Sequence, residues 1–257
     1  MQPSPAEVAR TLASGRLPGT AHVACGPGPL PVRHATDQAG RLMLLDRVDG
    51  PLSAVLRPAP GADDTAVVID AADEPPVEGS PDLGRVWVSG WARLLDGQEA
   101  RAAAVEFAAV HAIGDLFDVG DGFALHRMEP AEVRLVRAGA VIDVDPDEFA
   151  AAEPDPLHAV ERGLLADLAD HHVPEVTAFV RRMLLDAGRD EPEVPAPRMV
   201  RLDRYGFVAE VGPAGARYRA RLAFPRRVLD HADLTRLLHP VFCHRCRPAA
   251  EGLASRS

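Results

Sequence analysis

The sequence predicts an α+β protein in two parts: a β-barrel over residues 1–150 and a small ααβββα domain over residues 155–246. Three observations carry that expectation. Short β-like runs separated by Gly/Pro turns fill the first 144 residues with only brief helices between them, which fits a barrel better than a βαβ sheet. An acidic, Pro-punctuated stretch, DPDEFAAAEPDP at 145–156, marks a boundary. Beyond it helical periodicity returns, followed by three strand-like runs and a last helix. A chain of 257 residues, 47% of them hydrophobic, is long enough to bury a core in each part.

Residues 1–17 read as a short amphipathic helix, with Ser4 as cap, Pro5 at the first helical position and Glu7 close behind. TAHVACG (20–26), PVRHAT (31–36), RLMLLD (41–46) and TAVVIDA (65–71) follow as strands. In RVWVSGWARLL (85–95) strict alternation sets Trp87, Ser89, Trp91 and Arg93 on one face and Val86, Val88, Ala92 and Leu94 on the other. The Ala-rich run at 98–113 reads as a helix, and FALHRM (123–128) and EVRLVRAGAVIDV (132–144) as two further strands. After the boundary, residues 157–172 place Leu157, Val160, Leu164, Leu168 and His172 along one helical stripe. Pro174 interrupts, and a second helix over 175–188 ends at Gly188. APRMVRLD, YGFVAEV and ARYRARLAF are the three strands, the last two joined by a Gly-Pro-Ala-Gly turn at 212–215, and a final helix lies near 230–239.

Composition removes whole classes of chemistry. All 28 basic residues are Arg, and the chain holds neither Lys nor Asn. Schiff-base catalysis, lysine-bound pyridoxal phosphate, the phosphate-loop lysine and a Cys-His-Asn triad are therefore excluded. A net charge of -10 argues against nucleic-acid and anionic-membrane partners, which need clustered positive charge. No apolar run approaches the roughly 18 residues of a membrane span, and MQPSPAEVAR lacks a signal-peptide pattern. With three cysteines, Cys25, Cys243 and Cys246, the expected setting is cytoplasmic.

Several segments then carry a family resemblance. DLADHH (167–172), RLDRYGF (201–207) and RARLAFPRRVLD (219–230) carry it in the second half; RVWVSGWARLL, the helix after it and DGFALHRMEPAEVRLV (121–136) carry it in the first. Over about residues 5–242 the chain resembles the two-domain split-barrel proteins, whose barrel is pyridoxamine-phosphate-oxidase-like, related to HugZ-type haem oxygenases and plastid glutamyl-tRNA-reductase-binding proteins. In the helix motif Leu168 and His172 match, while Asp167 and Ala169 stand where the family has His and Asn. The resemblance implies an FMN-binding-like split barrel, a homodimer enclosing haem, and a role in haem binding that extends to haem oxygenase-like degradation. A non-catalytic regulatory or protein-binding module and an FMN-dependent oxidoreductase are the alternatives. For flavin phosphate, RVDGPLSAVLRP offers only Ser53 and the Arg47/Arg57 pair.

The tail HPVFCHRC (239–246) is the densest group of metal-ligating side chains. Imidazole and thiolate suit zinc or haem iron, and Cys243 and Cys246 have the spacing of half a zinc knuckle. The resemblance places an axial haem imidazole in this region, at His239 or His244. His171 and His172 end a helix, where a cationic imidazole is a sufficient structural cap; His172 can alternatively face the barrel. Arg217, Arg219 and Arg221 share a strand face, suited to propionates or phosphate but equally to salt pairing across the sheet. Trp87 and Trp91 read as core or dimer contact ahead of an aromatic wall for a macrocycle, and His22, His34, His111 and His126 have no role.

Overall fold

Ser4 opens the first helix, α1 (Pro5–Leu12), through a reciprocal pair of hydrogen bonds. The Glu7 amide donates to Ser4 Oγ at 3.2 Å, and the Ser4 amide donates to the Glu7 carboxylate at 2.8 Å. The computed structural model describes residues 1–24, 26–188, 196–213 and 215–242. Within it α1 stops at Leu12, short of the 17 residues expected, because Ala13 leaves the helix and Gly15 follows at φ +94°. Arg10 is the reason this helix stays put. Its Nε donates to the Ala152 carbonyl and a terminal nitrogen to the Asp37 carbonyl, both at 3.0 Å, while the guanidinium lies 5.2 Å from the centre of the Phe149 ring.

The chain divides into two compact units. The first comprises Pro3–Pro75 and Asp82–Asp155. Its strands are β1 (Gly19–Val23), β2 (Leu30–Thr36), β3 (Leu42–Arg47), β4 (Thr65–Ala72), β5 (Arg85–Leu94), β6 (Phe123–Arg137) and β7 (Ala140–Val144). All pairings are antiparallel, in the order β3-β2-β1-β4-β5-β6-β7, and a further β3–β6 pairing closes six strands into a ring with β7 outside it. Val67, Ile69, Val86, Val88, Leu44 and Met128 fill the interior. The short helix α2 (Pro51–Val55) follows β3, and α4 (Pro146–Ala151) follows β7. Helix α3 (Gly97–Ala108) covers an outer face, burying Ala100, Ala103 and Phe107 with Met43, Leu45 and Leu125.

Two sequence expectations change. Residues 123–137 form one strand, not two, running through Pro130. Proline donates no ladder hydrogen bond, and it is accommodated where the β5–β6 register shifts between Ser89 and Gly90. Gly90 is required there, since a Cβ would stand 2.0 Å from the Glu129 carbonyl oxygen. The chain reverses instead at Ala138 and Gly139, both at positive φ (49° and 80°), the pair that a two-residue hairpin needs. The second change concerns β5. Its inner residues Val86, Val88 and Ala92 are buried as expected, but Leu94, at the strand's last position, is 54% exposed. Trp87 and Trp91 are not core: they lie on the outer face, 38% and 51% exposed.

The interior holds two imidazoles. His34 pairs across from Leu44, and Leu44 from His126, so all three side chains share one row and one face. Both histidines are buried, and His34 Nε2 and His126 Nδ1 have no hydrogen-bond partner among the described residues. Burial pulls each down to about 4, with His111 lowering His34 further and Asp46 opposing the shift at His126.

The second unit comprises Met1–Gln2, Pro76–Pro81 and the chain from Pro156. Helices α5 (Glu161–His171), α6 (Val173–Asp186) and α7 (His231–Phe242) accompany a three-stranded antiparallel sheet, β10-β9-β8, formed by β8 (Arg198–Asp203), β9 (Gly206–Val211) and β10 (Tyr218–Ala223). Phe207 sits at the centre, edge-on to Phe179 and Phe224 at 6.2 and 5.3 Å between ring centres. Pro174 lies in the first turn of α6 rather than interrupting it, a position where its missing N–H leaves nothing unsatisfied. The inward side of α5 is Glu161, Leu165 and Leu168, rotated from the expected stripe; Val160 is 37% exposed. Glu161 is the cause. Its carboxylate accepts from Arg201 at 2.9 Å and from the Leu202 amide at 2.8 Å, both buried, so α5 turns its first residue inward against β8. Burial pushes the Glu161 carboxyl up, and Arg201 opposes that shift.

The segment Pro76–Pro81 is held in this unit by its backbone carbonyls. Arg162 donates to Pro76 at 2.7 Å, Arg198 to Glu78 at 2.8 Å, Arg219 to Gly79 at 2.8 Å and Arg201 to Pro81 at 2.9 Å. Ser80 Oγ adds a hydrogen bond to the Val200 carbonyl at 2.7 Å.

Two outcomes follow from these buried groups. A histidine whose folded-state value lies below its unfolded one stabilises the fold above about pH 6.5, and that stability is lost as the pH falls toward 4, by about 1.4 kcal/mol per pH unit for each imidazole. Urea titrations between pH 7 and 4 should therefore show the His126→Met variant losing stability less steeply than the parent. Replacing Glu161 by Gln removes the buried carboxylate that Arg201 and the Leu202 amide share and should destabilise the second unit by about 3–5 kcal/mol, read as lost hydrogen-exchange protection of the β8 amides.

Candidate functional site

Between α5 and α7 lies a cavity of about 230 Å³. Its walls are Leu164, Leu168, Leu202, Phe207, Leu234 and Leu238, and its polar residues are Asp167, His172, His231, Thr235 and His239. His172 stands at the junction of two helices: its amide donates to the Leu168 carbonyl at 3.3 Å, and its own carbonyl accepts from Val176 at 2.8 Å. The backbone bend there turns the chain from α5 into α6. His172 Nε2 lies 3.6 Å from an Asp167 carboxylate oxygen. His231 and His239 are eight residues apart on α7, about 12 Å along the axis at 1.5 Å per residue, so they flank the cavity rather than converging on one point. The entry to α7 is set by Asp230, which accepts from the Asp233 amide at 2.7 Å. Asp233 in turn grips Arg226 with both oxygens at 2.6 and 2.8 Å, which holds its carboxyl far below the usual carboxylate range.

The structure thus brings His172 and His239 to one cavity and adds His231, which sequence reasoning did not single out. His231 opens a helix, and only the fold of this unit shows that it faces the same space as His172. Cys243, His244 and Cys246 lie outside the described residues, as does the zinc reading that rests on them. Among the described residues no three His, Cys, Asp or Glu side chains gather closely enough to hold a metal ion.

The arginine row is engaged in its own sheet. Arg221 grips Asp203 with two hydrogen bonds, at 2.6 and 2.5 Å. Arg219 donates to the Gly79 carbonyl, and both Arg219 and Arg217 approach Glu210, at 4.0 and 3.8 Å. Salt pairing across the sheet accounts for Arg221 fully and for Arg217 least.

On the barrel unit the outer face carries a wider groove of about 500 Å³. Register builds its floor: His22 is opposite Val68, Val68 opposite Ser89 and Ser89 opposite Glu132, one row across four strands. Trp91, in the next row opposite Ala66, forms a wall. His22 Nε2 lies 3.8 Å from Asp70 at the edge. The flavin expectation fares worse. The Ser53 amide donates to the Asp46 carboxylate at 2.8 Å, and Arg47 pairs with Asp49 at 3.0 Å. A carboxylate in that place repels a phosphate, while Ser53 Oγ is buried without a hydrogen-bond partner among the described residues.

For haem the fit is partial and favourable in kind. Apolar walls with imidazoles at the rim are the donor set haem iron takes. At about 230 Å³ the cavity falls below the roughly 300–1,000 Å³ of pockets that enclose a drug-sized ligand, so it admits an edge of the macrocycle, not the whole ring.

A closed six-stranded antiparallel ring with one added strand, together with a small α+β unit, defines the fold: the chain carries a split barrel and a compact α+β unit. No protein-family profile matches it. Its fold is that of a heme binding protein from Mycobacterium smegmatis, with a TM-score of 0.67 at 21% identity over 94% of this chain and 97% of that one. In sequence it is 26% identical over 159 residues to the non-canonical heme oxygenase HOZ, chloroplastic, of Arabidopsis thaliana, a match covering 60% of this chain and 47% of that protein. The chain thus spans about half the length of this curated relative. No helix among the described residues is long and apolar enough to cross a membrane.

Proposed function

We propose that this chain binds haem, with the iron ligated by an imidazole of α7 and one edge of the ring set against the apolar walls of the cavity between α5 and α7. The observation that carries this reading is the pairing of those walls with His231 and His239 at the rim. The heme-binding and heme oxygenase descriptions of the two similar proteins support it. His239, nearer the chain's end, is the first choice of ligand. His172, with Nε2 turned toward Asp167, serves better as a fixed polar group across the cavity than as the axial ligand. Bound haem would supply redox and dioxygen chemistry at its iron. The protein's part is to exclude water with Leu164, Leu168 and Phe207 and to orient the ring.

The part of the macrocycle left outside the cavity needs cover, and a second copy of the chain is the proposed source. Trp87 and Trp91, large exposed aromatics on a sheet face, are of the residue type that interfaces concentrate. Light scattering should give a dimer, and Trp91→Arg should shift it toward monomer without loss of fold; a monomeric parent overturns the dimer.

Titrating haemin into the protein should produce a sharpened, shifted Soret band. His231→Ala/His239→Ala should weaken binding by about tenfold or more, the loss expected when a charge-assisted or coordinating contact is removed. An unchanged Soret band in that double variant would overturn the reading. The finer version is ring opening: reductant and oxygen added to the complex should then bleach the Soret band as a biliverdin band grows. A complex that persists under those conditions is a binding module only.

A further inference from the structure

The opposite side of α5 holds a second cavity with a different rim. It also measures about 230 Å³, with Leu165, Leu168, Val176 and Met199 as its floor and Ala169 and Val173 at its mouth. The polar side chains lining it are Arg198 and Arg217. Apart from Leu168 it shares no lining residue with the imidazole-rimmed cavity.

Among the described residues the charge beside it is unbalanced. Three guanidinium groups share the single carboxylate of Glu210, which lies 3.0 Å from Arg198, 3.8 Å from Arg217 and 4.0 Å from Arg219. Arg198 and Arg219 are further occupied by the carbonyls of Glu78 and Gly79. Arg217 has only its long contact among the described residues, and its side chain is 43% exposed. A guanidinium with spare donors therefore stands at the lip of an apolar cavity. Its planar fork matches a carboxylate bidentately, whereas a neutral hydroxyl of the same size gains far less from it.

We propose that this cavity binds a small amphipathic carboxylate, a medium-chain aliphatic or aryl acid, with the carboxylate on Arg217 and the apolar body against Leu165, Leu168, Val176 and Met199. Neither part suffices alone. The floor supplies affinity by taking apolar surface out of water, and Arg217 selects the anion. An amine of the same shape would meet the positive charge of Arg217 and be excluded. The site does not depend on haem.

Isothermal titration calorimetry on the full chain without haem tests it, with octanoate as probe. Octanoate should bind at least about tenfold more tightly than 1-octanol, the same body without the charge, and acetate should give no heat. Arg217→Gln, at an exposed position, should weaken octanoate by about tenfold while leaving octanol unchanged. Ala169→Phe, on the exposed side of α5, should block both by filling the mouth. Octanol binding as tightly as octanoate, octanoate binding equally to the parent and Arg217→Gln, or no octanoate heat at millimolar concentration would each overturn the proposal. Octanoate affinity should be unchanged in His231→Ala/His239→Ala, so failure of the haem titration and failure of this one are separate results.

Discussion

The barrel unit closes because one strand is long enough to be shared. β6 runs 15 residues and pairs with β5 along one edge. Along the other it pairs with β3 from Phe123 to Met128 and then with β7 from Val133 to Arg137. Its first half shuts the ring, and its second half gives β7 a place outside it. That double service requires the strand to continue through Pro130, which is why the bulge opposite Ser89 and the side-chain-free Gly90 are indispensable. The same bulge brings Ala131 and Glu132 to the rim of the outer groove beside Trp91. A device that closes the sheet thus also shapes its surface.

In the second unit the rotation of α5 plays the corresponding part. Glu161 is drawn in by Arg201 and the Leu202 amide, and every later residue of the helix takes its direction from that anchor. Leu164, Asp167, Leu168 and His172 then fall on one side, at helical spacings of three and four, and face the cavity with imidazoles. Leu165, Leu168 and Ala169 fall on the other and face the cavity with guanidinium groups. Rotating the helix by one residue would exchange these faces. The ion pair therefore matters less for its own energy, which burial largely offsets, than for the orientation it imposes.

Much of this was legible in the residues themselves, and what was not has a common cause. The Ser4–Glu7 capping box, the alternation of β5 and the order of the last six elements are local signals, and the structure carries each of them. The split-barrel class was readable from motifs spread over the chain. Properties that depend on what lies opposite were hidden. The unbroken β6 depends on a bulge of its own at Ala131, set by the register against β5; Trp87 and Trp91 alternate like core residues yet face outward. The row His22–Val68–Ser89–Glu132 exists only once four registers are known. His231 shares a cavity with His172 from 59 positions away in sequence, a meeting that no spacing announces. α2 and α4, of five and six residues, are too short to show a period at all.

The capture of Pro76–Pro81 has a consequence for synthesis on the ribosome. Those six residues leave the exit tunnel well ahead of Arg162, Arg198, Arg201 and Arg219, the side chains that hold their carbonyls, some of them 120 or more positions later. A nascent chain can assemble every strand of the ring while this stretch still waits in water for partners not yet translated. Completion of the trailing half is then a long-range event that reaches back across an already finished one, and its rate should reflect that separation rather than the speed of its own helices.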